Sequence, residues 1–174
     1  MTAPTLRRVL GPGNAPDFNS LCSLLQDSVE DGASLGFLAP LAHDTASAYW
    51  LLTLAALGDG LLLWVAEDAG VVVGSVQLAL STRENGRHRA EVQKLMVRST
   101  HRGQGLASEL MEALETHARR VGRTLLVLDT QQGSAAEAVY QRLAWHVAGT
   151  IPGYALAPDG SAQATTLFYK TLSP

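Results

Sequence analysis

The sequence predicts an α/β fold on one sheet whose earlier strands run antiparallel. Three observations predict it. The centre of the chain, Glu91 to Glu115, reads EVQKLMVRSTHRGQGLASELMEALE: a strand over Glu91–Val97, a glycine-rich turn over Ser99–Gly105, then an amphipathic helix. Ahead of it, segments of strand period follow one another with only short turns between them, the signature of a meander. Behind it, Thr124–Asp129 (TLLVLD) is continuously apolar, as in a strand covered on both faces. The predicted order is βαα-βββ-α-β-α-ββ, in one domain spanning residues 1–174.

Each element has its own signal. Thr5–Leu10 alternates and is closed by Gly11-Pro12-Gly13. Asn14 to about Asp31 reads as a helix with Asn14 as N-cap and Phe18, Leu21, Leu24, Leu25 and Val29 on one face. Gly32–Phe37 is a loop of small residues, and Asp44–Leu57 is a second helix that Gly58 stops. Leu61–Asp68 and Val71–Ser81 flank Ala69-Gly70 as a hairpin, and Arg83–Gly86 turns into a third strand, Arg87–Val97. In the central helix Leu106, Leu110, Met111 and Leu114 share a face, with Glu109, Glu112 and Glu115 on the other side. That helix ends near Val121-Gly122. Ser134–Leu143 is the last helix; Trp145–Gly149 and Gln163–Leu172 are the last strands, with a turn at Pro158-Asp159-Gly160.

Composition bounds the function. A chain of 174 residues with 47% hydrophobic content can bury one sizeable core. Its formal net charge of −3 and pI near 5.9 provide no basic field for nucleic acid or anionic membrane. A single cysteine, Cys22, sits among leucines and reads as a core thiol in a reducing compartment. The opening MTAPTLRRVLGPG lacks the apolar run of a signal peptide, and the longest apolar run, near Leu61–Ala66, is too short to span a bilayer. These features predict a soluble cytoplasmic protein. The five histidines are scattered without ligand spacing, so no metal site is predicted. Trp50, Trp64 and Trp145 read as core, and His101 as a solvated turn residue.

The chemistry concentrates around the glycine turn. Arg102-Gly103-Gln104-Gly105-Leu106-Ala107 has the form Arg-x-x-Gly-x-Ala, in which glycines bring backbone close to a ligand. A helix that starts there offers unpaired N–H groups and a positive dipole end to a pyrophosphate. A plain helix start with a glycine turn is the alternative. In the preceding strand, the alternation of Glu91, Val92, Gln93 and Lys94 breaks into Leu95-Met96-Val97, which suits a β-bulge at a functional edge. Glu91 and Asp129 stand on successive strands and, as partly buried carboxylates, are candidate bases, although spacing alone favours an exposed sheet residue for Glu91 and a helix-capping or loop carboxylate for Asp129. The helix pattern alone makes Tyr140 a core tyrosine.

The run RGQGLA, between the strand EVQKLMV and a helix that leads to strand LLVLD and helix SAAEAVYQRL, resembles the GCN5-related N-acetyltransferase (GNAT) superfamily from Leu6 to Leu172. GASLGFLAPL, LLLWVAED, AEVQKLMV, LDTQQGSAAEAVY, GTIPGYALAPDG and TTLFYKTL together look like its tabtoxin resistance protein group. The resemblance implies a mixed, mostly antiparallel sheet of six or seven strands flanked by about four helices. It implies acetyl-CoA as co-substrate and direct transfer of acetyl to a primary amine of a small molecule. The acceptor would be amino-acid-like, or an antibiotic or toxin such as the tabtoxinine β-lactam, acetylated for resistance.

Carried onto this chain, the resemblance makes Glu91 and Asp129 the bases and Tyr140 the acid for the departing thiolate. Arg102–Ala107 would hold the pyrophosphate, the backbone of Leu95, Met96 and Val97 the pantetheine arm and thioester, and Ser134 a further cofactor contact. Ser34, Phe37 and Tyr154 would meet the acceptor. A monomer or homodimer is expected. Ala107 stands where glycine is commoner in the superfamily, and Gly133-Ser134-Ala135 where an asparagine is frequent. Two other readings stay open. One is an NAD(P)-binding oxidoreductase, with Gly103-x-Gly105 before a helix and Asp129 ending the next strand. The other is a non-catalytic coenzyme-A-binding module, which would have no use for Glu91, Asp129 and Tyr140 together.

Overall fold

The structure is a computed structural model that describes residues 3–173. Met1, Thr2 and Pro174, which the sequence reading includes in its domain and, at the N-terminus, in its signal-peptide argument, lie outside the described residues. The elements are β1 (Thr5–Val9), α1 (Phe18–Glu30), α2 (His43–Ala55), β2 (Leu61–Asp68), β3 (Val71–Leu80), β4 (Arg89–Val97), α3 (Leu106–Arg120), β5 (Leu125–Gln131), α4 (Ala135–Arg142), β6 (His146–Leu156) and β7 (Ala162–Thr171). This is the predicted order. One seven-stranded sheet has the order β1-β2-β3-β4-β5-β7-β6. Every neighbouring pair is antiparallel except β4 and β5.

Two apolar layers sandwich the sheet. On one side α3 and α4 pack through Leu110, Met111, Leu114 and Tyr140 onto Val76, Leu78, Val92, Leu126 and Phe168. Gly74 of β3 permits this close approach. A Cβ there would lie 3.1 Å from Leu110 Cδ1 and 3.3 Å from the Met96 carbonyl oxygen. On the other side α1 and α2 pack through Leu21, Leu25, Val29 and Trp50 onto Leu63, Val65, Val72 and Met96. Cys22 and the three tryptophans are buried, as expected.

Several local expectations are corrected. The α1 cap is Asp17, whose carboxylate accepts the Ser20 amide at 2.7 Å; Asn14 instead accepts the Leu10 amide at 2.6 Å. Glu115 is buried, because Trp145 Nε1 donates to it at 3.1 Å and Lys170 Nζ at 2.8 Å. β5 is covered on one face only: Leu126 and Leu128 are buried, whereas Leu125 and Val127 are half-buried and Asp129 is exposed. β6 runs well past the predicted Gly149 to Leu156, and its register on β7 slips at Val147/Gly149 and Ile151/Ala155. As an edge strand it is exposed along nearly its whole length.

Candidate active site

The parallel pair β4 and β5 opens the sheet. Their register runs from Arg89↔Leu125 to Glu91↔Val127 and then stops. Beyond that point the strands diverge, and a cleft of about 1260 Å³ lies along the divergence. Glu91 is the last β4 residue paired with β5, and Asp129 lies two residues past its β5 partner. Strand alternation therefore sets both on the same face. Both carboxylates are exposed and line the cleft, so the expectation of partly buried bases is corrected. Gln93 Nε2 donates to Glu91 at 2.9 Å, and the Thr165 hydroxyl donates to Asp129 at 3.1 Å.

A β-bulge lies beside them, one residue earlier than expected. Gln93 pairs with Gln77 and Met96 with Ser75, so β4 spends an extra residue at Lys94-Leu95. The bulge reverses the strand's phase. Ala90 and Val92 face α3 before it, whereas Leu95 and Val97 do so after it. Lys94 takes the reversal with φ +53°, a left-handed conformation that costs a non-glycine residue about 1–2 kcal/mol. Continued alternation would have driven the lysine into the α3 core. In the bulge it faces the cleft instead. Its Nζ donates to the Leu35 carbonyl at 2.7 Å and lies 6.0 Å from the Phe37 ring centroid and 5.8 Å from that of Tyr49. Lys94 is the site residue that the sequence reading passed over. The available signal was a charged residue at an inward phase of the strand.

At the other end of the cleft stands the N-terminus of α3. Gly105 is its N-cap at φ +87°, Gly103 precedes it at +72°, and no side chain caps the helix. The first helical bond runs from Glu109 N–H to Gly105 O at 3.1 Å. The amides of Leu106, Ala107 and Ser108 therefore lack intrahelical acceptors. All three residues line the cleft, as do Arg102, Gly103 and Gly105; Gln104 is exposed and is not among the lining residues. The turn is lashed to the end of α1. Asp27 accepts the Ser99 amide and hydroxyl at 2.8 and 2.7 Å, and Asp31 pairs with Arg102. His101 is half-buried and meets Asp68 at 3.2 Å, which corrects the solvated-turn reading.

The α4 N-terminus, by contrast, carries a side-chain cap. Ser134 Oγ accepts the Glu137 amide at 3.2 Å, and the Glu137 carboxylate reaches back to accept the Gly133 amide, just ahead of the cap. Tyr140, six residues past the cap, is buried against Trp145 and Phe168 yet lines the cleft. Its hydroxyl has no hydrogen-bond partner among the described residues. Burial, reinforced by the charge of Asp129, holds its phenol well above the ordinary 10.0. Tyr140 is thus a core residue, as its helix pattern predicts, that also lines the cleft.

The roof of the acceptor end comes from the α1–α2 loop and the β6–β7 hairpin. Ser34, Leu35 and Phe37 of the loop and Tyr154 of β6 line the cleft. Beyond the backbone bonds that tie Gly32 and Ala33 to α1, hydrogen bonds from Gln26 Nε2 to Leu41 O at 2.9 Å, from Lys94 Nζ to Leu35 O, and from Ala39 N–H to Pro158 O at 2.8 Å hold the loop. The last joins loop and hairpin over the diverging strands. Among the described residues no group of three or more His, Cys, Asp and Glu is placed to hold a metal ion, and no helix is long and apolar enough to cross a membrane.

Residues 24–145 match the Acetyltransferase (GNAT) family. The chain belongs to that family. It is an N-acetyltransferase with acetyl-CoA as co-substrate, and the oxidoreductase and non-catalytic readings are set aside. An uncharacterised N-acetyltransferase from the hisH–hisA intergenic region of Azospirillum brasilense is 33% identical to this acetyltransferase over 118 residues, 67% of this chain and 69% of that protein. The fold is shared with the ribosomal-protein-alanine N-acetyltransferase from Brucella melitensis, with TM-score 0.75 and 24% identity over 97% of this chain and 99% of that one. It is shared also with yncA from Salmonella typhimurium, solved with its cofactor acetyl-CoA, with TM-score 0.72 and 19% identity over 99% of this chain and 96% of that one.

Proposed function

We propose that this acetyltransferase moves acetyl directly from acetyl-CoA to the primary amine of a small, amino-acid-like molecule. One observation carries the reading. A single cleft holds the unpaired amides of α3 at one end, the Glu91 and Asp129 carboxylates at the other, and Tyr140 among its lining residues. The α3 amides and Arg102 take the pyrophosphate, where the helix dipole favours negative charge. Leu95, Met96 and Val97 pair by backbone with the pantetheine arm, and Ser134 offers its hydroxyl hydrogen to the cofactor.

The acceptor enters under the Ser34–Phe37 loop and Tyr154 as an ammonium ion. Glu91 and Asp129 orient it and remove a proton, directly or through water. The freed amine attacks the thioester carbonyl carbon, and a β4 amide at the bulge stabilises the oxyanion. Collapse breaks the C–S bond, Tyr140 gives its proton to the departing thiolate, and the surplus proton on the product nitrogen returns through water to the phenolate. A phenol held above its ordinary range stays protonated at neutral pH, as this acid role requires. A roof tied across the acceptor end favours a small acceptor over a folded one. The likeness to the tabtoxin resistance protein group extends the proposal to a toxin or antibiotic amine and a resistance role, and composition and length extend it to a single cytoplasmic domain acting as a monomer or homodimer.

The test is an acceptor screen with acetyl-CoA that reads released thiol and the acetylated product by mass. Thiol release matched by N-acetyl product on small amines is expected. Release without acetylated amine, or acetylation of protein acceptors alone, contradicts the proposal.

A further inference from the structure

Lys94 has a geometry that acetyl transfer does not by itself require. It stands three residues from Glu91 on the same strand, and the bulge between them brings its side chain to the cleft face that Glu91 occupies. A lysine ammonium has three donors. The structure uses one, to Leu35 O, and among the described residues the other two meet no protein acceptor. No ion pair within 4.0 Å joins Lys94 to Glu91 or Asp129. Burial pushes the ammonium below the usual lysine range, while the charges of Asp129 and Glu91 oppose that shift.

The other cations that line the cleft stand elsewhere. Arg102 is paired with Asp31 and His101 with Asp68 beside the glycine turn, and Arg142 belongs to the last turn of α4. Phe37 and Tyr49 flank Lys94 at right angles to one another and fix its position. A tether to one carbonyl would need only a neutral donor. A half-buried cation with free donors, beside carboxylates that it does not pair with, is matched by a ligand carrying an anion.

We propose that Lys94 selects the acceptor: the substrate is a primary amine that also bears a carboxylate, its ammonium facing Glu91 and Asp129 and its carboxylate meeting the Lys94 ammonium. The proposal rests on the N-acetyltransferase reading above and adds the anionic half of the acceptor to it. Both charges of such a zwitterion would then be met within the acceptor half of the cleft.

The experiment compares amines with and without the carboxylate. L-Phenylalanine is paired with 2-phenylethylamine, and L-lysine with cadaverine, and kcat/KM is measured for each with acetyl-CoA. The parent is expected to favour the carboxylate-bearing member by roughly tenfold to hundredfold, the scale of one charge-assisted hydrogen bond. Lys94→Met should bring that ratio to within about threefold of unity, and Lys94→Arg should retain it. A parent with no preference overturns the proposal. So does a Lys94→Met variant that slows both members of a pair equally, which would leave Lys94 as a tether for the loop.

A binding arm separates this failure from failure of the acetyltransferase reading. With coenzyme A present, thermal stabilisation by L-phenylalanine should exceed that by 2-phenylethylamine in the parent and not in Lys94→Met. That difference without any acetyl transfer would sink the reaction and keep the anion site. Acetyl transfer without that difference would keep the reaction and sink the site. Equal responses in both proteins, including none, count against the site.

Discussion

At the α3 end of the cleft the groups that await a ligand are backbone amides; at the acceptor end they are side chains. The first set is fixed by two left-handed glycines and a helix start that no side chain caps. Its geometry follows from local sequence, because only glycine adopts those angles freely. The second set is assembled from distant places: β4, β5, the α1–α2 loop and the β6–β7 hairpin. Its geometry follows from how far β4 and β5 stay paired and from a one-residue bulge. A backbone cup serves a cofactor that does not vary. A side-chain wall can be changed one residue at a time, and so can carry specificity.

The largest expected effect breaks the acceptor wall. Glu91→Gln and Asp129→Asn keep volume and remove charge, and each should slow acetylation roughly a hundredfold to ten-thousandfold. If the two act as one unit, the double variant should lose far less than the product of the single losses. Steady-state kinetics on one accepted amine decide this. Parental rates in both single variants would show that solvent takes the proton.

Next is Tyr140, which stands between the two ends. Tyr140→Phe should lower kcat on the order of a hundredfold with acetyl-CoA affinity little changed. The same substitution has a pH signature. The folded-state value lies above the unfolded 10.0, so the stability contributed by the neutral phenol is complete below pH 10.0 and is lost as pH rises through the folded value. Urea melts at increasing alkalinity should therefore fall less steeply in Tyr140→Phe than in the parent. Identical slopes would place the phenol's ionisation outside the folding equilibrium.

The same contrast explains what the sequence could and could not tell. The order of elements was readable because each carries its own period, from the Leu106–Leu114 stripe to the Ala69-Gly70 hairpin. The glycine cup was readable because its chemistry is local. Glu91 and Asp129 could be placed on strands, but their exposure depends on α1 and α2 stopping short of β5, which no local pattern encodes. Glu115 was read as solvent-facing because its partners, Trp145 and Lys170, are remote in sequence. Lys94 was passed over for a related reason. Its meaning comes from the bulge, and the bulge shows only in the pairing of β3 with β4. The extent of β6 was missed because Pro152 and Gly153 look like breakers, whereas an edge strand tolerates both at a register slip.

The division of labour can be measured directly as the acetyl-CoA dissociation constant, by calorimetry, in two variants beside the parent. Gly105→Glu puts a side chain where φ is +87° and a negative charge at the open end of α3. The Glu91→Gln, Asp129→Asn double variant alters only the acceptor wall. Gly105→Glu is expected to weaken acetyl-CoA at least a hundredfold, which removes about 2.3 kcal/mol or more of the roughly 2.7 kcal/mol by which acetyl-CoA stabilises the parent at a hundredfold excess over its dissociation constant. The double variant is expected to stay within about threefold of the parent, as this division of labour requires. Parental affinity in Gly105→Glu, or a loss in the double variant as large as that in Gly105→Glu, would contradict it.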